Sequence, residues 1–197
     1  MEDRQLDPAQ SLALIGSMIE NTRSRLTRNA GHPFLAWGYA TIATTLLVWA
    51  AVVGTENPRW NLLWMVLPLL GWLLTRLLRG RRPTQGVHTF VDRVLANVWL
   101  VMGLSAWFVS LVTLFTPVRI PILFLILLMM GMGTALTGLV IRFAPAVAGG
   151  AAAILLAPVS LAVPNPWAPA VFVAGFLVMM VIPGHILNYR SNRPRKE

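Results

Sequence analysis

The chain has no cysteine, a single lysine and only seven acidic residues among 197. The missing cysteine excludes disulfides, thiolate nucleophiles and Cys-ligated metals. The acids matter more for where they are absent: no Asp, Glu, Lys or His lies near the middle of any long apolar run. Ionisable groups deep in a membrane bundle are costly and mark proton relays, voltage sensors and retinal-type sites. Their absence disfavours all three. A basic-then-apolar leader is lacking too, because MEDRQLDPAQ is acidic and polar. No cleavable signal peptide is legible, and insertion is expected to depend on the first span itself.

What is present is apolar sequence in excess. At 56% hydrophobic and 12% charged, the chain carries half of the roughly one-quarter charged share of a soluble domain. Of 16 Lys and Arg residues, only Arg59 and Arg119 fall outside four segments: Arg4, Arg23, Arg25 and Arg28; Arg76, Arg79, Arg81, Arg82 and Arg93; Arg142; and Arg190, Arg193, Arg195 and Lys196. Short cytoplasmic loops hold Lys and Arg, so the spacing predicts six transmembrane helices with both termini cytoplasmic. The net charge of +9 is then a topology signal and an attraction to anionic headgroups at the cytoplasmic face. No nucleic-acid partner is expected.

The predicted fold is an all-α polytopic membrane helix bundle in three parts. Residues 1–34 form a cytoplasmic amphipathic helix and lead-in, 35–187 the six-helix domain, and 188–197 a basic cytoplasmic tail. Asp7, Pro8 and Gln10 read as a helix start. From there, Leu12, Ile15, Met18, Ile19, Thr22 and Leu26 share one face. Gly31 and Pro33 read as its stop. Such a helix could lie on the membrane, pack under the bundle or pair with a partner. The spans are expected at about 35–53, 60–78, 94–115, 120–141, 143–163 and 167–187, roughly 20 residues each as a hydrocarbon core of about 30 Å requires. Pro68 predicts a kink in the second, and Arg142 with Pro145 a tight reversal between the fourth and fifth. Pro183 and Gly184 predict a loosened helix near the end of the sixth.

Few residues offer chemistry. His32, His88 and His185 all fall near the cytoplasmic boundary; they read as half-wet interfacial residues or, converging, as a metal or pH-sensing site. Asp92 could clamp the second and third spans through Arg76 or Arg79, or cap the third helix. A lone carboxylate specifies no reaction. Asn97, Ser105, Ser110 and Thr113 in the third span, with Thr134 and Thr137 in the fourth, read either as hydrogen-bonding packing groups or as a polar path for a solute. The small-residue spacings in GMGTALTG and APAVAGGAAA predict that the fourth and fifth spans approach closely; the same surface could instead serve a dimer or a narrow pore.

SLALIGSMIENTRSRL, GHPFLAWGY, GMGTALTG and IPGHILN together resemble a group of small, uncharacterised six-span membrane proteins of Bacteroidota, over nearly the whole chain. The resemblance implies a bacterial inner (cytoplasmic) membrane setting and no activity, cofactor or site residue. The leading expectation is a non-enzymatic scaffold, sensor or regulatory membrane component. Its expected partners are membrane lipids, a second copy of itself or another membrane protein. The alternative is a small transporter or channel for a neutral or weakly polar solute. A lipid-modifying enzyme stands third, with only His32, His88, Asp92 and His185 to supply acid, base or nucleophile.

Overall fold

A computed structural model describes residues 8–79, 90–164 and 166–191. The fold is all-α: α1 (Pro8–Thr55), a 3₁₀ segment (Pro58–Val66) running into α2 (Leu67–Arg79), α3 (Phe90–Phe115), α4 (Ile122–Val140), α5 (Ala144–Ala162), α6 (Ala168–Phe176), a π turn (Leu177–Val181) and α7 (Ile182–Ser191). Among the described residues, six stretches are long and apolar enough to cross a membrane: Gly31–Thr55, Pro58–Leu77, Phe90–Phe115, Ile122–Val140, Ala144–Ala162 and Ala168–Tyr189. The chain is a multi-pass membrane helix bundle.

The separate N-terminal helix expected from the sequence is not there. Helix α1 runs unbroken for 48 residues through Gly31 and Pro33. An internal proline removes a backbone hydrogen bond and crowds the carbonyl four residues back, yet packing on the following residues holds the helix together. Phe34, Leu35 and Ala36 are buried, and Phe34 and Leu35 lie against Gly184 of α7. Gly31 is needed for proximity and not as a cap: a Cβ on it would come 2.6 Å from Asn188 Oδ1. Of the predicted apolar stripe, Leu12 is 70% exposed. Asp7, the expected cap, lies outside the described residues, as do the side chains of the rest of the stripe.

Helices α4 and α5 make the most extensive pairing in the bundle, for a reason visible atom by atom. A Cβ on Gly138 would sit 2.6 Å from the Val147 nitrogen, and one on Gly131 3.1 Å from the Gly150 oxygen. Only bare backbone lets these helices come so near. Three residues link them. Arg142 takes a positive φ of 50°, Phe143 N–H donates to Gly138 O at 2.8 Å, and Arg142 N–H to Leu139 O at 3.2 Å. This is a Schellman reversal with arginine where glycine is usual, at a cost of about 1 kcal/mol.

The other prolines also reshape backbone. Pro68 has no N–H for the Trp64 carbonyl; Leu67 N–H takes that oxygen instead, and the second span changes from 3₁₀ to α at this point. In the sixth span, Ile182 N–H reaches back to Leu177 O, a wide turn directly ahead of buried Pro183. The bare face of α5 fits that turn, since a Cβ on Gly149 would be 2.5 Å from Val178 O.

The core comprises α1, α4, α5 and the last span, with Leu127, Phe172, Met179 and Leu187 essentially inaccessible. The second and third spans are peripheral. Only 6% and 11% of the residues in their most apolar stretches are buried, against 50% in the sixth. Trp37 of α1 covers Gly71 of α2, and Met102 of α3 covers Gly133 of α4, so large side chains seated on glycines attach the outer spans to the core.

Candidate functional site

The polar residues singled out from sequence are dispersed. Asn97 is exposed on α3 and Ser105 is half-buried. Thr137 is buried, donates its hydroxyl to Gly133 O at 2.8 Å and accepts Trp99 Nε1–H at 3.0 Å. It therefore joins α3 to α4. Thr134 is wholly inaccessible, and its hydroxyl oxygen has no hydrogen-bond partner among the described residues. Both threonines belong to the helix that makes the close glycine contacts with α5.

At the end of the bundle where α2 finishes and α3 begins, His185 Nε2 lies 2.7 Å from the Tyr39 hydroxyl, the rings meeting edge to face at 6.0 Å. This pair ties α1 to α7. His32 is exposed, and His88 lies outside the described residues. Among the described residues no group of three or more His, Cys, Asp or Glu could hold a metal ion. Asp92 is half-buried in the first turn of α3, where a negative charge complements the helix dipole. Arg76 stacks over Trp72, one turn earlier on α2, at 4.7 Å, a contact worth about 0.5–1 kcal/mol at an exposed site.

A feature that sequence reasoning missed lies at the opposite end. A cavity of about 790 Å³ is walled by α1, the 3₁₀ segment, α3, α4 and the start of α6. Buried Thr45, Ser110 and Phe172 line it, together with Trp49, Trp64 and Ile126; Arg59 and Pro58 lie in its wall where the 3₁₀ segment begins. Its hydroxyls are turned to their own helices: Thr45 Oγ1 donates to Thr41 O, Ser110 Oγ to Ala106 O and Thr113 Oγ1 to Val109 O, at 2.7 to 2.9 Å. The wall is thus more apolar than its composition suggests. Trp64 meets Phe172 edge to face at 5.8 Å, and Trp49 meets Trp167 likewise at 5.8 Å. No periodicity announces such a space, because its walls come from five separate elements; the one available signal was the Trp and Pro content of the connections at this end. Of the polar residues read as a possible path, Ser110 and Thr113 line it, and Asn97, Ser105, Thr134 and Thr137 do not.

No protein-family model, curated protein or solved structure matches the chain.

Proposed function

We propose that the chain is a non-enzymatic component of a bacterial inner membrane, with both ends cytoplasmic, that acts as a scaffold, sensor or regulatory subunit. Its core of α1, α4, α5 and the last span is the fixed part, and the second and third spans present apolar side chains to lipid, a second copy or a partner. The observation that carries this reading is the contact between α4 and α5. Gly131 and Gly138 bring backbone to backbone beside Thr134 and Thr137, leaving no room there for a hydrated path. The distribution of Arg residues supports the orientation, and the resemblance to small six-span bacterial proteins supports the setting.

The transporter reading places a solute path through Ser105, Thr134 or Thr137. The cavity lining stops at Thr45, Ser110 and Ile126, short of all three.

A chain without cysteine is ready for the test. Single variants Ser105→Cys, Thr134→Cys and Thr137→Cys are treated in intact cells and inverted vesicles with a charged maleimide, alongside single cysteines at residues 57, 85 and 118. The 134 and 137 sites resist the reagent from both sides, the 85 site reacts only from the cytoplasm, and those at 57 and 118 only from outside. Rapid labelling of Thr134→Cys by the charged reagent would establish water in the bundle centre and replace the scaffold reading with the transporter one.

A further inference from the structure

We infer that the cavity beside Arg59 is a binding site for one anionic phospholipid, with an acyl chain inside and the phosphate at the guanidinium. The inference uses the membrane-spanning character of the chain and does not depend on which end faces the cytoplasm.

Three observations converge. At about 790 Å³, the cavity falls within the roughly 300–1,000 Å³ usual for a bound small molecule. Its hydroxyls are committed to backbone carbonyls, so this side-open pocket offers water few partners and suits an apolar guest. Depth is the second observation. The α1 wall extends from Val53 to Thr45, eight residues or about 12 Å at 1.5 Å per residue. That remains within one leaflet, about half of a 30 Å hydrocarbon core. It suits a chain entering from the headgroup level and does not suit a solute crossing the membrane.

The third observation is charge. Among the described residues, Arg59 is the only charged one in the lining; Glu56, in the preceding turn, does not contribute to it. Tryptophan and proline frame the same end: Trp49 and Pro166 line the cavity, and Trp49 packs on Trp167. Tryptophan rings settle at headgroup depth, which puts the guanidinium where a lipid phosphate lies. Arginine matches phosphate geometry through its planar fork of donors. A zwitterionic lipid can set its phosphate there too but brings its own headgroup cation with it, so the guanidinium favours a lipid of net negative charge.

The experiment uses the full chain, delipidated in detergent and titrated with palmitoyl-oleoyl phosphatidylglycerol or with the phosphatidylcholine carrying the same acyl chains. Native mass spectrometry reads the first bound lipid. The phosphatidylglycerol binds about fivefold more tightly, the factor given by about 1 kcal/mol for one arginine near an anionic surface. Arg59→Gln abolishes that preference, whereas Arg81→Gln with Arg82→Gln leaves it in place. Thr113→Trp fills the cavity from a half-buried wall position and removes the first bound lipid of either kind. Ile122→Trp does so from the α4 wall, should the first variant fail to fold. Equal binding of the two lipids, a preference that survives Arg59→Gln, or a first lipid retained by the folded tryptophan variants would each overturn the assignment in favour of unspecific annular lipid.

Discussion

A single methyl group added to Gly150 probes whether main-chain proximity holds α4 to α5. The new Cβ would fall against the Ala135 nitrogen, 2.7 Å from Gly131 O and 2.8 Å from Ala135 Cα. All three are backbone atoms, so no rotamer change relieves the overlap and the helices must move apart. Overpacking of this kind costs about 1–3 kcal/mol. In water, part of that loss would be offset by the better helix propensity of alanine. In a membrane the dissociated spans keep their hydrogen-bonded helices, so the offset shrinks and Gly150→Ala should lose about 1–3 kcal/mol. Gly103 on α3 has nothing within 4 Å of its would-be Cβ. Gly103→Ala should therefore stay within about 0.5 kcal/mol of the parent. Reversible unfolding of the full chain in mixed micelles, with SDS as denaturant and tryptophan fluorescence as readout, measures both variants. Equal stabilities for Gly150→Ala and Gly103→Ala would refute the claim that close backbone approach organises the bundle.

Continuity of α1 is measurable as a length. Spin labels on Leu12→Cys and Leu47→Cys should lie about 50 Å apart along one helix at 1.5 Å per residue; about 35–40 Å would mean that the first part turns to lie flat at Gly31. Thr134→Val replaces a buried hydroxyl that has no partner among the described residues with a methyl and should leave stability unchanged or raise it by up to about 2 kcal/mol. Thr137→Val strands the Trp99 indole N–H and should cost about 1 kcal/mol in the same unfolding assay. Tyr39→Phe removes the hydroxyl facing His185, for a loss of about 0.5–1 kcal/mol. No loss at all would remove that bond from the account of how α1 meets α7.

The spans and the close α4–α5 pairing are legible in sequence because each rests on a local pattern: apolar runs of fixed length, and small residues four apart. The reversal at Arg142 is legible for the same reason. Continuity through Gly31 and Pro33 is not, because the residues that would cap and stop a helix in water serve here to admit Asn188 and to precede a buried packing segment. Local stop signals lose to tertiary contact when the neighbouring helix is more than 140 residues away in sequence. Pro183 shows the same limit. Its sequence predicts loosening, but whether a proline produces a kink, a 3₁₀ stretch as before Pro68, or a π turn depends on what packs opposite, in this case bare Gly149. The cavity is the least legible feature, being a space bounded by side chains from five elements.

The short link between α4 and α5 also bears on how the bundle comes to exist. Three residues, from Ile141 to Phe143, separate the two helices, and four Cα steps span at most about 14 Å. The two spans cannot be far apart at any stage of insertion, so they enter the bilayer as a hairpin. Their glycine faces meet with almost no loop-closure entropy to overcome. Contacts between α1 and α7, by contrast, wait until the last span has been synthesised. Biogenesis therefore has an order written into it: the α4–α5 hairpin assembles from neighbouring sequence before α1 and α7 can meet around it.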